Sequence, residues 1–362
     1  MKIIKSPSLD KYLDQLEDIH ELNLSTSDLL SSIFGNLEIT SKKEIELLSS
    51  RYHKSEKDVF ISKITDYLDI DLDVEDNEEI FNKYIAGSIS ELDLSNYSSN
   101  PYYQLVKPKE IKYQGYEIKY DHYEPYELFA YQDMKEEGLI EINSLGYFKD
   151  RFDFITLNYK GVTWMNITPN EIETMKSSID KVEGDVIVFG LGLGYFAFMA
   201  SNKKEVNKVT IIENNPTIIK LFKDNLLDYF PHKEKITIKE DDAFNYLNKK
   251  LDYDYAFVDL WHNPSDGIKT YLRFKESEKK NKSTTYLYWL ESSFYLLLRR
   301  CLMSVIIESR LGYTDKDYIS KETVEDELIN TYYQKTKNLV IFDKAQLDNL
   351  LSDKSLLDLL LN

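Results

Sequence analysis

The chain is short of cysteine, glycine, proline and positive charge. A single cysteine, Cys301, leaves no internal disulfide and no thiolate cluster for structural zinc. Lys plus Arg number 45 against 63 Asp plus Glu, a net charge of −18. A broad nucleic-acid or acidic-membrane surface needs a cationic field, so nucleic acid and membrane are not the expected partners. Long hydrophobic runs are also missing. The longest mostly apolar stretch, VIVFGLGLGYFAFMA from Val186 to Ala200, is too short to cross a bilayer and carries three glycines. The opening, MKIIKSPSLDKYLDQLEDIH, shows no continuous apolar segment before its acidic residues, which argues against a secretory signal. The expectation is a cytoplasmic protein. Few glycines (12) and prolines (8) beside 28 tyrosines give the composition a bacterial look and say nothing about function.

What is present supports a sizeable core: 42% of residues are hydrophobic and 30% charged. At ~150 residues per domain the length allows roughly two to three domains. Residues 1–95 read as helical. Leu13, Leu16, Ile19 and Leu22 share one helix face, and Ser27 is expected to cap a second helix ending near Gly35. Ser41 with Glu44 suggests a capping box for a third, and Ser55 to Leu68 repeats the pattern. The acidic stretch Asp69–Glu79 then opens a short helix around Ile80–Ile85. Residues 96–168 form an aromatic-rich connector and a β-hairpin. Lys112–Tyr120 alternates around Gly115 as a strand pair, packed by aromatic rings. Tyr147, Phe148 and Phe152–Leu157 read as one extended run, turned at Lys160–Gly161 and returned by Val162–Ile167. Thr168, Pro169 and Glu171 read as N-cap, first helical residue and capping-box acid of a helix running to about Lys181.

Residues 169–310 alternate strand and helix. Strands are expected at Val186–Phe189, Lys208–Ile212, Ile236–Lys239, Tyr255–Val258 and Ser304–Ile307. Helices are expected at Tyr195–Ala200, Pro216–Tyr229, Phe244–Lys249 and, as a long apolar one, Thr284–Arg300. This predicts an α/β fold with a mainly parallel, doubly wound sheet behind an N-terminal helical extension. Lys275–Lys282 reads as a solvated loop, and residues 311–362 as a C-terminal helical segment with a short strand near Val340–Phe342. The Leu-rich C-terminus is compatible with a homodimer and equally with burial inside one chain.

Sheets of this kind bind ligands at the carboxyl ends of their strands, where this sequence concentrates unusual residues. Gly190, Gly192 and Gly194 stand between the first strand and its helix, where the backbone must turn tightly and approach a ligand. Glu213 ends the second strand, 19 residues after Gly194, where a carboxylate can accept both ribose hydroxyls. Asp242 and Ala243 follow the third strand, a carboxylate beside a backbone N–H suited to an adenine edge. Asp259 ends the fourth.

The stretches VIVFGLGLG, VTIIEN, ITIKEDDAF and YAFVDLW, in this order and spacing, resemble the class I S-adenosylmethionine-dependent methyltransferase superfamily over roughly residues 160–310. The resemblance implies a Rossmann-like fold and S-adenosylmethionine as cofactor. Gly190, Gly192 and Gly194 would border its methionine part, Glu213 would hold the ribose, and Asp242 with Ala243 would face the adenine. Asn214 joins this cofactor-binding set. Asp259 would lie near the methionine amine or the acceptor, a small molecule or a protein. Asp259 and His262 are the candidates for orienting or deprotonating that acceptor. His262 reads equally well as a surface histidine after a turn. Trp261 reads as core. Asn263-Pro264 is similar to the Asn-Pro-Pro-aromatic signature of amino-group methyltransferases, from which Ser265 and Asp266 depart.

Three alternatives remain. The hairpin, helix, glycine loop and paired acids are similar to spermidine synthase-like aminopropyltransferases, although Leu193 and Tyr195 stand where those carry an acid. A non-catalytic S-adenosylmethionine-binding protein would keep the same cleft. Gly192-Leu-Gly194-Tyr-Phe-Ala197 with Glu213 also suits NAD.

Overall fold

A computed structural model describes residues 1–34, 40–69, 80–313 and 322–361. The apolar runs of the second half form five parallel strands, β4 (Gly184–Phe189), β5 (Val206–Glu213), β6 (Ile236–Glu240), β7 (Tyr255–Val258) and β8 (Thr285–Tyr288), in the order β6-β5-β4-β7-β8. Val186 to Phe189 are at most 3% exposed, so the central strand is covered on both faces, as continuous Val/Ile/Phe runs require. The connections carry α5 (Tyr195–Ser201), α6 (Pro216–Asn225) and α7 (Pro264–Glu278). The order runs outward one way from β4 to β6 and then the other way through β7 to β8. Right-handed crossovers therefore send the helices to opposite faces and open a crevice at the carboxyl end of β4.

Three expectations fail here. Thr284–Arg300 is not one helix: Thr285–Tyr288 pairs with β7 as β8, Leu290 takes a left-handed conformation at φ 55°, and α8 runs Glu291–Arg310. Ser304–Ile307 lies inside α8 and is no strand. Apolar runs buried on every side carry no usable period, which is why the two types were exchanged. Nor is Lys275–Lys282 a solvated loop. It continues α7 to Glu278, where Lys275 pairs with Glu278 (2.8 Å) and Glu291 (3.3 Å). Beyond the helix end the buried Asn281 accepts from the Leu251 N–H at 3.1 Å.

The first helix, α1 (Pro7–Phe34), runs straight through Ser27, which caps nothing; Gly35 lies outside the described residues. Its buried stripe continues as Asn23, Thr26, Leu30 and Ile33, so two polar residues hide an otherwise regular period. Asn23 is 3% exposed. Its amide donates to the Leu139 carbonyl (3.0 Å) and accepts from the Glu141 N–H (2.9 Å). α2 (Lys42–Tyr52) and α3 (Glu56–Leu68) begin at the Ser41 and Ser55 caps. Glu44 pairs with Lys63 instead of closing a capping box. Residues 70–79 of the acidic stretch lie outside the described residues, and Phe81–Ile85 forms a single π-helical turn. These elements share a second core with the aromatic connector, in which Phe60 meets Tyr147 edge-on at 4.7 Å.

The hairpin consists of β2 (Phe152–Tyr159) and β3 (Val162–Asn166), with β1 (Tyr116–Tyr123) on the far side of β2. Lys160 and Gly161 turn it at φ 51° and 84°, a two-residue turn that only left-handed-tolerant positions close. Tyr147 is not in this run; it ends Leu145–Tyr147, a strand of a separate small sheet. Thr163 faces Asn158 and Met165 faces Leu157, so Trp164 is the extra residue of a β-bulge. The C-terminal region folds as α9 (Val324–Thr336), α10 (Lys344–Leu350) and α11 (Asp353–Leu361), with Val340–Ile341 paired to Lys2–Ile3. Among the described residues no helix is long and apolar enough to cross a membrane.

Replacing Asn23 by Ala orphans a half-buried carbonyl and a buried N–H. A loss of about 1–3 kcal/mol of unfolding free energy is expected in urea titration. A loss within error would mean that α1 does not hold the Leu139–Glu141 segment through this amide.

Candidate functional site

Register builds the first half of the site. β5 and β6 pair with Glu213 opposite Glu240, so the segments leaving the two strands emerge side by side. Glu213, Asn214, Asp242, Ala243, Leu260 and Thr270 line a cavity of about 180 Å³ there, with Ile212, Asp241 and Phe244. The Glu213 carboxylate accepts from the Asn215 N–H at 2.8 Å and from the Leu191 N–H at 3.2 Å, tying the strand end to the glycine loop. Burial raises its pKa above the usual carboxylate range, and the backbone N–H groups oppose that rise. Asp242 caps the short turn Ala243–Tyr246 by accepting from the Phe244 N–H at 2.8 Å, which leaves its second carboxylate oxygen outside that bond. The four residues expected around a nucleoside, Glu213, Asn214, Asp242 and Ala243, are thus brought together.

The glycine loop builds the second half. A Cβ on Gly190 would overlap the Asp259 carbonyl, and one on Gly194 the Phe222 ring; both sit at positive φ (102° and 77°). Gly190, Leu191, Gly194 and Asp259 line a much smaller cavity, about 20 Å³, with Met165 and Glu171. Gly192 is covered directly by the Met165 side chain.

Glu171 corrects the sequence reading. Thr168 and Pro169 do begin α4 (Pro169–Lys181), but no side-chain cap bond forms. The Thr168 hydroxyl engages Tyr123 instead. Glu171 turns inward, 7% exposed, and its Oε2 has no hydrogen-bond partner. The signal was in the period: Glu171, Met175 and Ile179 stand at spacing four on the buried stripe of α4. Burial pushes the Asp259 carboxyl up to about 7. Burial, with the Asp259 charge added, holds Glu171 well above the ordinary range. Among the described residues no Lys or Arg lines either cavity.

His262 lies outside both cavities. It is exposed, its Nδ1 is 2.9 Å from Asp266, and its ring stands edge-on to Trp164 at 5.3 Å. Asn263 and Asp266 form a reciprocal capping box at the start of α7 (3.0 and 3.1 Å). That box gives Asn263-Pro264-Ser265-Asp266 a structural reason to exist. Trp261 is core, donating to the Trp289 carbonyl at 3.1 Å. Among the described residues no cluster of His, Cys, Asp and Glu is placed to hold a metal ion.

No family model matches the chain, and no curated protein matches it. Solved structures do. Spermidine synthase from Thermotoga maritima is 14% identical with a TM-score of 0.29, over 41% of this chain and 58% of that one. The precorrin-8W decarboxylase of Methanobacterium thermoautotrophicum is 21% identical with a TM-score of 0.26, over 38% and 69%. A spermidine synthase in complex with the transition-state analogue AdoDATO is 14% identical with a TM-score of 0.27, over 41% and 58%.

The acid pair has a testable thermodynamic consequence. Its folded pKa values lie above the unfolded ones of about 4. Below about pH 4 both states hold the protons, and the pair costs nothing. As pH rises towards 7 the unfolded chain releases protons first, so stability falls across that window. Glu171→Gln should therefore stabilise the ligand-free protein at pH 8. The gain should shrink on acidification to pH 5, read by thermal melting. An equal effect at both pH values would mean that Glu171 is solvated.

Proposed function

We propose that the crevice binds an adenosyl sulfonium, S-adenosylmethionine in the first reading, and that the protein is a methyltransferase of the class I kind acting on a small-molecule or protein acceptor. The observation that carries this is the meeting of Glu213, Asn214, Asp242 and Ala243 in one cavity. Gly190, Gly194 and Asp259 line the next one, beyond the same strand ends. The residues fit the ligand in kind. A carboxylate faces the ribose position, Asp242 and the backbone beside Ala243 face the adenine position, and the orphaned Glu171 Oε2 with Asp259 offers acceptors, and on loss of a proton negative charge, to a cationic tail.

Bound there, the sulfonium supplies an already activated alkyl group. The work left to the chain is alignment and exclusion of water. Glu213 fixes the ribose and through Leu191 the loop. Asp259, with a pKa near neutrality, orients the acceptor or takes its proton. His262 serves only if the acceptor reaches past Trp164.

One observation favours a second reading. Two carboxyls with no Lys or Arg beside them repel the carboxylate of a methionine tail and attract its amine. A decarboxylated sulfonium meets no such repulsion, so aminopropyl transfer to an amine is the runner-up.

Dialysed protein should bind S-adenosylhomocysteine in calorimetry, and Asp242→Ala should weaken that binding about tenfold, ~1.4 kcal/mol. No heat at millimolar ligand would remove the first reading. Putrescine with decarboxylated S-adenosylmethionine, assayed for product, separates the second reading from the first.

A further inference from the structure

The bulge in β3 has a consequence at the glycine loop. An unbroken strand sends successive side chains to opposite faces, and an extra residue resets that alternation. Here Trp164 packs against Tyr116 and Tyr159 on one side, and Met165 is aimed into the crevice. The Met165 sulfur accepts from the Leu193 N–H at 3.0 Å and lies where a Cβ on Gly192 would have to be. The loop amide that a ligand tail would approach is therefore met by a thioether from within the chain. Thr156 holds the position by donating to the Met165 carbonyl at 3.2 Å. What remains beside Glu171 and Asp259 is about 20 Å³, the room of a single small group, while the nucleoside cavity next to it keeps about 180 Å³.

We propose that Met165 is the specificity-determining residue of the tail cavity: its thioether occupies the glycine loop and limits how long a tail the bound nucleoside carries. The proposal rests on the nucleoside reading above and adds to it a ranking of ligands. A bare nucleoside or a short thioether such as 5′-methylthioadenosine is admitted with Met165 in place. A full amino-acid tail binds only after the Met165 side chain has left the loop. Methionine suits this role, because it has three rotatable bonds and its sulfur is a weak acceptor that a better ligand contact displaces.

The test is calorimetry of wild type, Met165→Ala and Met165→Leu with adenosine, 5′-methylthioadenosine and S-adenosylhomocysteine. The readout is the ratio of dissociation constants for the long-tailed ligand and adenosine within each protein. Met165→Ala should shift this ratio at least tenfold in favour of S-adenosylhomocysteine. Met165→Leu keeps the volume and should leave the ratio within about threefold of wild type. The ratio is internal to each variant, so a partly unfolded sample lowers the number of sites and not the ranking. An unchanged ratio in Met165→Ala, with adenosine still bound, overturns the proposal and leaves the nucleoside reading standing. Absence of adenosine binding in the wild type removes the nucleoside reading, and this proposal with it.

Discussion

Glu213 is the tie on which the crevice depends. Its two carboxylate oxygens take one N–H from the segment leaving β5 and one from the glycine loop leaving β4, at 2.8 and 3.2 Å. These are charge-assisted bonds in a half-buried place, roughly twice as strong as neutral ones. They fix the distance between two loops that the sheet by itself only starts at the same height. A ligand ribose meeting this carboxylate would find an acceptor already oriented by the backbone, so little order is left to impose at binding. Beyond Asn215 the same linkage reaches the β1–β2–β3 sheet, because the Asn215 amide donates to the Tyr116 hydroxyl at 2.7 Å. The Glu213 end of β5 and the sheet that carries Met165 are thus mechanically connected.

The parallel sheet was legible because β4, β5 and β7 carry short Val/Ile/Phe runs, ended by Gly190, Glu213 and Asp259, and burial on both faces leaves little other use for such runs. Register then made the strand-end acids converge, so Glu213 and Asp242 could be read as a pair without coordinates. Legibility failed where two physical readings share one pattern. Thr285–Tyr288 and the middle of Glu291–Arg310 are both largely buried and apolar, and pairing with β7 separates strand from helix. Ser27 has the chemistry of a cap, but the stripe through Asn23 and Thr26 outweighed it once Asn23 found partners on another element. Glu171 was the costliest miss for function. An acid at the third position of a helix is ordinarily a capping residue, and its inward turn follows from packing that no local rule contains.

His262 teaches the complementary lesson about proximity in sequence. It is three residues from Asp259, yet the chain turns between them. Asp259 looks into the tail cavity, while His262 is held outside by Asp266 and Trp164. The two residues joining them are committed to other work, Trp261 to the core and Leu260 to the lining of the larger cavity. The two candidates therefore stand apart, one a half-buried acid beside Glu171 and the other an exposed histidine with its own carboxylate.

Charge in the smaller cavity also bears on the proposed ligand class, which the glycine pattern leaves open. A dinucleotide would lay a pyrophosphate on the loop, and phosphate sites rely on a helix N-terminus together with nearby cations or free N–H groups. Here Glu171 and Asp259 flank the loop, the Leu191 and Leu193 N–H groups are taken by Glu213 and Met165, and the lining contains no Lys or Arg. Even with one proton on the pair, the second carboxyl faces a diphosphate across a few ångströms of low-dielectric space, where like charges repel by several kcal/mol at an effective dielectric of about 20. A sulfonium with an ammonium tail reverses every one of those signs. For the proposed ligand, the same acids that destabilise the empty fold above neutral pH would become the attraction that holds it. The chain has in that sense placed its strain where a cation relieves it.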